Sequence, residues 1–198
     1  MALVLSSVAG VPLGAWIGLK PFRGRWFVMA VLNTLAGLPP VLVGLVVYLL
    51  LSRSGPIGGL RWLFTPAAMV VAQTCLALPL VTLLTAGAVI GVDRELPVQL
   101  ASLGATWGQV IRATLDEART GVLIAVAAGF GSIISEVGAV MMVGGNIEGH
   151  TRVLTTAILL ETRQGNFALA GWLGVVLLAV SLTINLLVLS MQRRTAWR

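Results

Sequence analysis

The sequence predicts an all-α membrane protein of about five transmembrane helices, on three observations: its composition, the length of its uncharged runs and the placement of its basic residues. Of 198 residues, 58% are hydrophobic and 10% charged, against about 25% charged in an ordinary soluble domain, so water is not the chain's main solvent. Residues 1–19, 26–52, 62–92 and 166–192 contain no Lys, Arg, Asp or Glu, and 120–147 contains Glu136 alone. A helix needs roughly 20 apolar residues to cross the hydrocarbon core, which every run but the first comfortably exceeds.

The spans therefore fall at about 2–18, 27–51, 63–91, 121–143 and 167–191, within a single domain over 1–198. The first run has the length of a signal peptide as well as of a span. It is read as a span because no basic segment precedes it, the cluster Lys20, Arg23 and Arg25 follows it, and a second run comes almost at once. With five spans, Lys20, Arg23, Arg25, Arg94, Arg112, Arg119, Arg193, Arg194 and Arg198 lie on one side, and Arg53, Arg61, Arg152 and Arg163 on the other. The positive-inside rule places the larger group in the cytoplasm, with the N-terminus outside and the C-terminus inside. The net charge of +6 does not point to nucleic acid, because the cations are scattered between apolar runs rather than gathered on one face. Cys75 is the sole cysteine, which excludes an intrachain disulfide and leaves a buried packing role as the expectation.

Within the spans, Pro39 and Pro40 predict a bend or break in the second. Pro66 and Pro79 divide the third, which is longer than a bilayer requires, into a short outer helix and a kinked span. Gly37, Gly44, Ala86, Gly87, Gly91, Gly129, Gly131, Gly138, Gly171 and Gly174 are small residues of the kind that lets helices approach closely, and generic bundle packing accounts for most of them. No internal repeat or low-complexity segment is present, and two segments outside the spans are long enough to carry function: 93–119 and 144–165.

In the first of these, Leu96, Leu100, Leu103, Trp107, Val110, Ile111 and Leu115 recur at steps of three and four, one face of a helix. Pro97 suits a first helical turn, while Gly104 and Gly108 permit a bend between two short helices. Such a pair fits either the membrane interface, with its apolar face in lipid, or a groove in a partner protein.

The run Leu100-Ala-Ser-Leu-Gly-Ala-Thr-Trp107, followed by Leu115 and then the fourth span, resembles the cytoplasmic loop of permeases of ABC importers. In that family an acidic residue and two alanines precede a glycine, and the loop forms coupling helices that dock into a cleft of the ATPase. Gly104 matches the glycine, whereas Val98, Gln99 and Leu100 stand at the Glu-Ala-Ala positions and Asp116 stands near a frequent proline. The resemblance implies an ATPase contact through Leu100, Ala101, Leu103, Gly104, Ala105 and Trp107. A phosphate-binding loop needs a glycine-rich turn before Lys and Ser or Thr, yet the only lysine is Lys20, with Pro21 after it. ATP and Mg are accordingly expected on a partner chain, and this chain is expected to bind no cofactor or metal and to be no enzyme.

From Gly129 to Phe167 the chain looks like tungstate-type oxyanion permeases and less closely like molybdate permeases, a resemblance reaching from about Leu96 to the C-terminus. It implies the ABC importer type I permease fold, two copies enclosing a path on a twofold axis, two ATPase subunits, an external solute-binding protein that carries the oxyanion, and a place in the plasma (inner) membrane of a prokaryote. Members often have more residues before the first span, so this N-terminus is expected to be a shortened one. Tungstate is the expected cargo, with molybdate, sulfate or another anion as alternatives that shape and charge do not separate.

Glu136 is the only charged residue inside a predicted span, so it must face the bundle interior, a polar cavity or a partner, or else be protonated. It reads equally as a gate near the external mouth and as a structural hydrogen-bonding group. Direct contact with a dianion is disfavoured by repulsion. Ser132, Ser135, Gly145 and Asn146 join it as gate or pathway candidates. Gly144, Gly145 and Asn146 tolerate a left-handed turn and should end the fourth span, and Thr151 to Glu161 resembles a short external helix. Backbone amides at such helix starts attract anions without a fixed positive charge. His150, in a polar loop beside Glu148 and Arg152, reads as solvent-exposed. An intramembrane serine hydrolase built from Ser132 or Ser135 with His150 is the reading from another class, and it requires the base within hydrogen-bond reach of the hydroxyl.

Overall fold

The computed structural model describes residues 1–93 and 95–196, with side chains through Ser190. Arg94 and Arg198, both counted on the more basic side, lie outside the described residues, as do the side chains of Arg193 and Arg194. The described residues hold no strand and are organised as α1 (Ala2–Leu19), α2 (Arg25–Ala36), α3 (Pro40–Leu51), α4 (Pro66–Ile90), α5 (Glu95–Ser102), α6 (Trp107–Glu117), α7 (Arg119–Ile134), α8 (Gly138–Gly144), α9 (Leu154–Arg163) and α10 (Phe167–Ala196). A 3-10 turn, Gly58–Leu60, lies between α3 and α4. Helices α1, α4 and α10 are each long and apolar enough to cross a bilayer, and the number reaches five when α2 with α3 and α6 with α7 each form one bent span.

The prolines act differently at different depths in their helices. Pro39 precedes α3 and Pro40 is its first residue, so the second span breaks where two missing N–H groups make a restart easier than continuation. Pro66 is likewise the first residue of α4, but Pro79 sits inside a helix that runs unbroken to Ile90. The short outer helix expected ahead of a kinked third span is therefore absent; a proline at a first helical position costs no hydrogen bond, and only the turn Gly58–Leu60 precedes it. The segment expected as one helix over 121–143 is two, because α7 stops at Ile134 and α8 restarts at Gly138.

The chain divides into two compact units. One comprises residues 1–2, 38–76 and 131–187. Its core is Val43, Val47 and Leu51 of α3, Ala68, Met69, Ala72 and Leu76 of α4, and Ala139, Val140 and Val143 of α8. Gly44 makes this possible, since a Cβ there would lie 2.6 Å from the Ala139 Cα. Gly138 plays the same part against Val41, where a Cβ would meet the side chain at 2.7 Å.

The other unit comprises residues 3–37, 77–130 and the chain from 188 onward. Gly10, Gly14 and Gly18 form a seam along α1 that receives Val81, Thr82, Thr85 and Val89 of α4. A Cβ on Gly14 would come within 2.6 Å of the Thr82 carbonyl oxygen. Gly129 of α7 meets Val81 in the same way, and Ala15, Val89 and Ala118 form a small buried cluster. Of the small residues singled out above, Gly44, Gly129 and Gly138 stand at close contacts and Ala86 is buried, but Gly87, Gly131, Gly171 and Gly174 have open space beside them. Cys75 is exposed, which corrects the expected buried role: an apolar neighbourhood in sequence is equally that of a lipid-facing position.

Candidate functional site

Helices α5 and α6 lie inside the 93–119 segment and are joined by four residues whose chemistry fixes the corner. Gly104 has φ +83°, in the left-handed region. The N–H of Ala105 donates to the Leu100 carbonyl at 3.0 Å and that of Gly104 to the Ala101 carbonyl at 3.1 Å, the paired bonds of a Schellman stop. Thr106 then opens α6, its N–H donating to the Gln109 side chain at 2.7 Å, half of a capping box. A stop and a start in immediate succession make a rigid elbow rather than a flexible loop.

The apolar face expected to be continuous is divided between two directions. Val110 and Thr114 are buried, with Ile111 and Leu115 packed beside Ala15, Val89 and Ala118. Leu103 is 82% exposed and Trp107 47% exposed, with Ala101 and Gly104 also exposed and Leu100 and Ala105 half-buried. The second half of α6 therefore anchors the elbow, and its tip presents uncovered apolar surface. Lys20 Nζ lies 5.5 Å from the Trp107 ring centroid and 6.0 Å from that of Trp16, tying the end of α1 to the start of α6. Sequence spacing carried no sign of this contact, because Lys20 and Trp107 belong to different segments.

The second cluster is the break between α7 and α8. Glu136 is 6% exposed, and its Oε1 accepts the N–H of Ala139 at 2.7 Å, which satisfies an amide at the start of α8. Its backbone carbonyl accepts the hydroxyl of Thr155 in α9 at 3.0 Å. One residue in the break thus caps the start of α8 and fastens α9, at the point where the helix expected from apolarity alone is interrupted. Gly145 has φ +72° and Asn146 φ +50°, the left-handed exit expected at the end of α8. Beyond it the Thr151 hydroxyl donates to the Gly144 carbonyl at 2.6 Å and accepts the Ile147 N–H at 2.9 Å. Thr151, Thr155 and Thr156 are all buried; sequence reasoning passed over them, although three threonines in a segment otherwise rich in apolar residues were the available signal.

Ser132 is half-buried in the last turn of α7, and the Ser135 hydroxyl donates to the Gly131 carbonyl at 2.8 Å. His150 is exposed, beside the ion pair of Arg152 with Glu148 at 3.3 Å. The hydrogen-bonded pair of nucleophile and base that a hydrolase needs is not formed among the described residues.

The model of the family described as "Binding-protein-dependent transport system inner membrane component" matches residues 10–196. The chain is 42% identical to a protein of Haloferax volcanii named probable anion ABC transporter permease protein, over 100% of this chain and 87% of that one. It is 41% identical to the tungstate uptake system permease protein TupB of Peptoclostridium acidaminophilum, over 96% and 84%. It is 32% identical to the molybdenum transport system permease protein ModB of Azotobacter vinelandii, over 87% and 80%.

Proposed function

This chain belongs to the family of binding-protein-dependent transport system inner membrane components, and from that premise we propose that it imports tungstate as one of two identical permease subunits working by alternating access. At the coarser level it is an oxyanion ABC permease: a multi-pass inner-membrane transport subunit, not itself an enzyme, of a system that includes an ATPase and a substrate-binding protein. What favours tungstate over molybdate is the 41% identity over 96% of the chain to one tungstate relative, against 35% over 72% and 32% over 87% for molybdenum relatives.

The observation that carries the mechanism is the elbow between α5 and α6. Its tip exposes Leu103 and Trp107 while Val110 and Thr114 root it in the packed unit, so a push on the tip moves α1 and α4 with it. In this reading the elbow docks into a cleft of each of two ATPase subunits, which hold ATP and Mg. Their closure on ATP shuts the inner mouth and opens the outer one to a loaded binding protein, and hydrolysis resets the cycle. The excess of basic residues on the side of α5 and α6, counted over five spans, supports a cytoplasmic location for that side, with the N-terminus outside and the C-terminus inside. Glu136, Ser132, Ser135, Gly145 and Asn146 then lie towards the external half, where the broken α7–α8 segment supplies a part able to move.

Two measurements test this. Reconstituted with its ATPase and binding protein, the complex should show ATPase stimulation by tungstate above that by molybdate or sulfate; equal stimulation removes the tungstate assignment and leaves the oxyanion class. Gly104→Arg should abolish ATPase assembly or coupling. Space beside Gly104 within this chain is open, so the loss would arise from the left-handed backbone and the docking contact rather than from internal clash. Wild-type complex formation and uptake in that variant would overturn the docking assignment.

A further inference from the structure

In the first of the two compact units, the loop between α3 and α4 borders an open cavity of about 990 Å³ whose lining includes the exposed Arg53 and Arg61 with Tyr48 and Ser52. Two arginines in an exposed loop are unremarkable by themselves. Three features of this loop set it apart.

The first is rigidity. The N–H of Gly55 donates to the Ser52 carbonyl at 2.8 Å, that of Ile57 to the Leu50 carbonyl at 3.2 Å, and that of Arg61 to the Gly58 carbonyl at 3.1 Å, so the loop folds back over the end of α3. The Phe64 N–H donates to the Val143 carbonyl of α8 at 2.8 Å, closing the far side. The Ser52 hydroxyl donates to the Leu49 carbonyl at 3.0 Å, so the last-turn carbonyls of Leu49 and Leu50 in α3 both have hydrogen-bond partners.

The second is backbone strain. Of the three non-glycine residues with positive φ among those described, two line this cavity: Arg61 at +51° and Phe64 at +61°. Such conformations are unfavourable for side-chain-bearing residues and persist where the surroundings impose them. Here they turn the chain so that Arg61 and Arg53 border one space.

The third is charge. Among the described residues no carboxylate lines the cavity and neither arginine has an ion pair, whereas Arg152 in the same unit is matched with Glu148. With the Ser52 hydroxyl donated to Leu49, the lining offers two guanidinium groups and the Tyr48 hydroxyl as donors, a set that recognises tetrahedral oxyanions and repels cations. By contrast, the cavity beside α5 is lined by Asp93, Glu95 and Glu117.

We propose that the Arg53–Arg61 cavity is an external antechamber that binds a free tetrahedral oxyanion dianion, one per chain. Its size admits the anion with part of its water. The identity of the anion rests on the importer reading above; the site itself rests on the cavity.

The test is equilibrium dialysis of tungstate against the permease–ATPase complex in phosphatidylcholine nanodiscs, without binding protein. The wild type should bind saturably, one tungstate per permease chain. The doubly substituted Arg53→Gln, Arg61→Gln complex should bind about tenfold more weakly or not at all, while the Arg53→Lys, Arg61→Lys complex, which keeps the charges, should retain most of the affinity. Absence of saturable binding in the wild type, or equal binding in the Gln variant, overturns the proposal. So does loss of wild-type tungstate binding when phosphatidylglycerol is added to the discs, which would make a lipid phosphate the occupant. A Gln variant that loses affinity for the empty binding protein but not for tungstate would overturn it too, in favour of an acidic docking contact. Uptake by the wild type with its loaded binding protein, measured in parallel, separates the two levels: if uptake of every oxyanion fails, the importer reading falls, whereas uptake with arginine-independent binding removes the antechamber alone.

Discussion

Glu136 shows how a single side chain can decide what a hydrophobic run becomes. Its carboxylate accepts the Ala139 N–H and its carbonyl accepts the Thr155 hydroxyl, so the acidic residue in the fourth apolar run caps the start of α8 and ties α9 to the break. Glu136→Ala leaves the buried Ala139 amide without that acceptor and should cost about 1–3 kcal/mol, read as a lower thermal midpoint in detergent. Glu136→Gln keeps an oxygen in place and should recover most of the loss; equal midpoints for all three proteins would show that the cap contributes nothing. The position of this charge was legible in the sequence, and so was its isolation. Its partners were not, because Thr155 lies 19 residues away and only the return of α9 brings it near.

At the scale of elements, the seam of α1 on α4 illustrates what close approach requires. Gly14→Ala would place a methyl group 2.6 Å from the Thr82 carbonyl oxygen and 2.7 Å from the Thr85 Cβ, an overpacking cost of about 1–3 kcal/mol. Gly87→Ala, in α4 with open space beside it, should instead stabilise by about 0.5–1 kcal/mol through reduced backbone entropy. Comparing thermal midpoints of the two variants checks both signs; a neutral Gly14→Ala would mean that α1 and α4 can separate without loss. The sequence shows glycine at both positions and nothing that distinguishes them. The elbow of α5 and α6 was more readable, because Gly104 and the Thr106 cap act on their immediate neighbours, and local chemistry is written locally.

At the scale of the molecule, α10 is the least covered long helix among the described residues: apart from Ala170, none of residues 167–190 is buried. A helix apolar all round and so exposed within one chain meets lipid or a neighbouring subunit. If two permease chains share a twofold axis, as proposed, the purified complex should contain permease mass equal to twice the 20.7 kDa chain, with ATPase in equal number; light scattering of the detergent complex that returns a single permease chain would exclude the arrangement. The amino-acid order alone determined that the chain is built of long apolar helices suited to a membrane, that Pro39 and Pro40 interrupt one of the apolar runs, and that a two-helix elbow stands between α4 and α7. It did so because charge, proline and glycine act at their own positions whatever surrounds them. Only the tertiary structure decided which face of each helix is buried, that Cys75 looks outward, that Gly10, Gly14 and Gly18 rather than Gly171 and Gly174 receive a neighbour, and that Arg53 and Arg61 share one cavity. In water the inward face of a helix announces itself by its apolarity; in lipid both faces are apolar, and the distinction exists only once the helices have met.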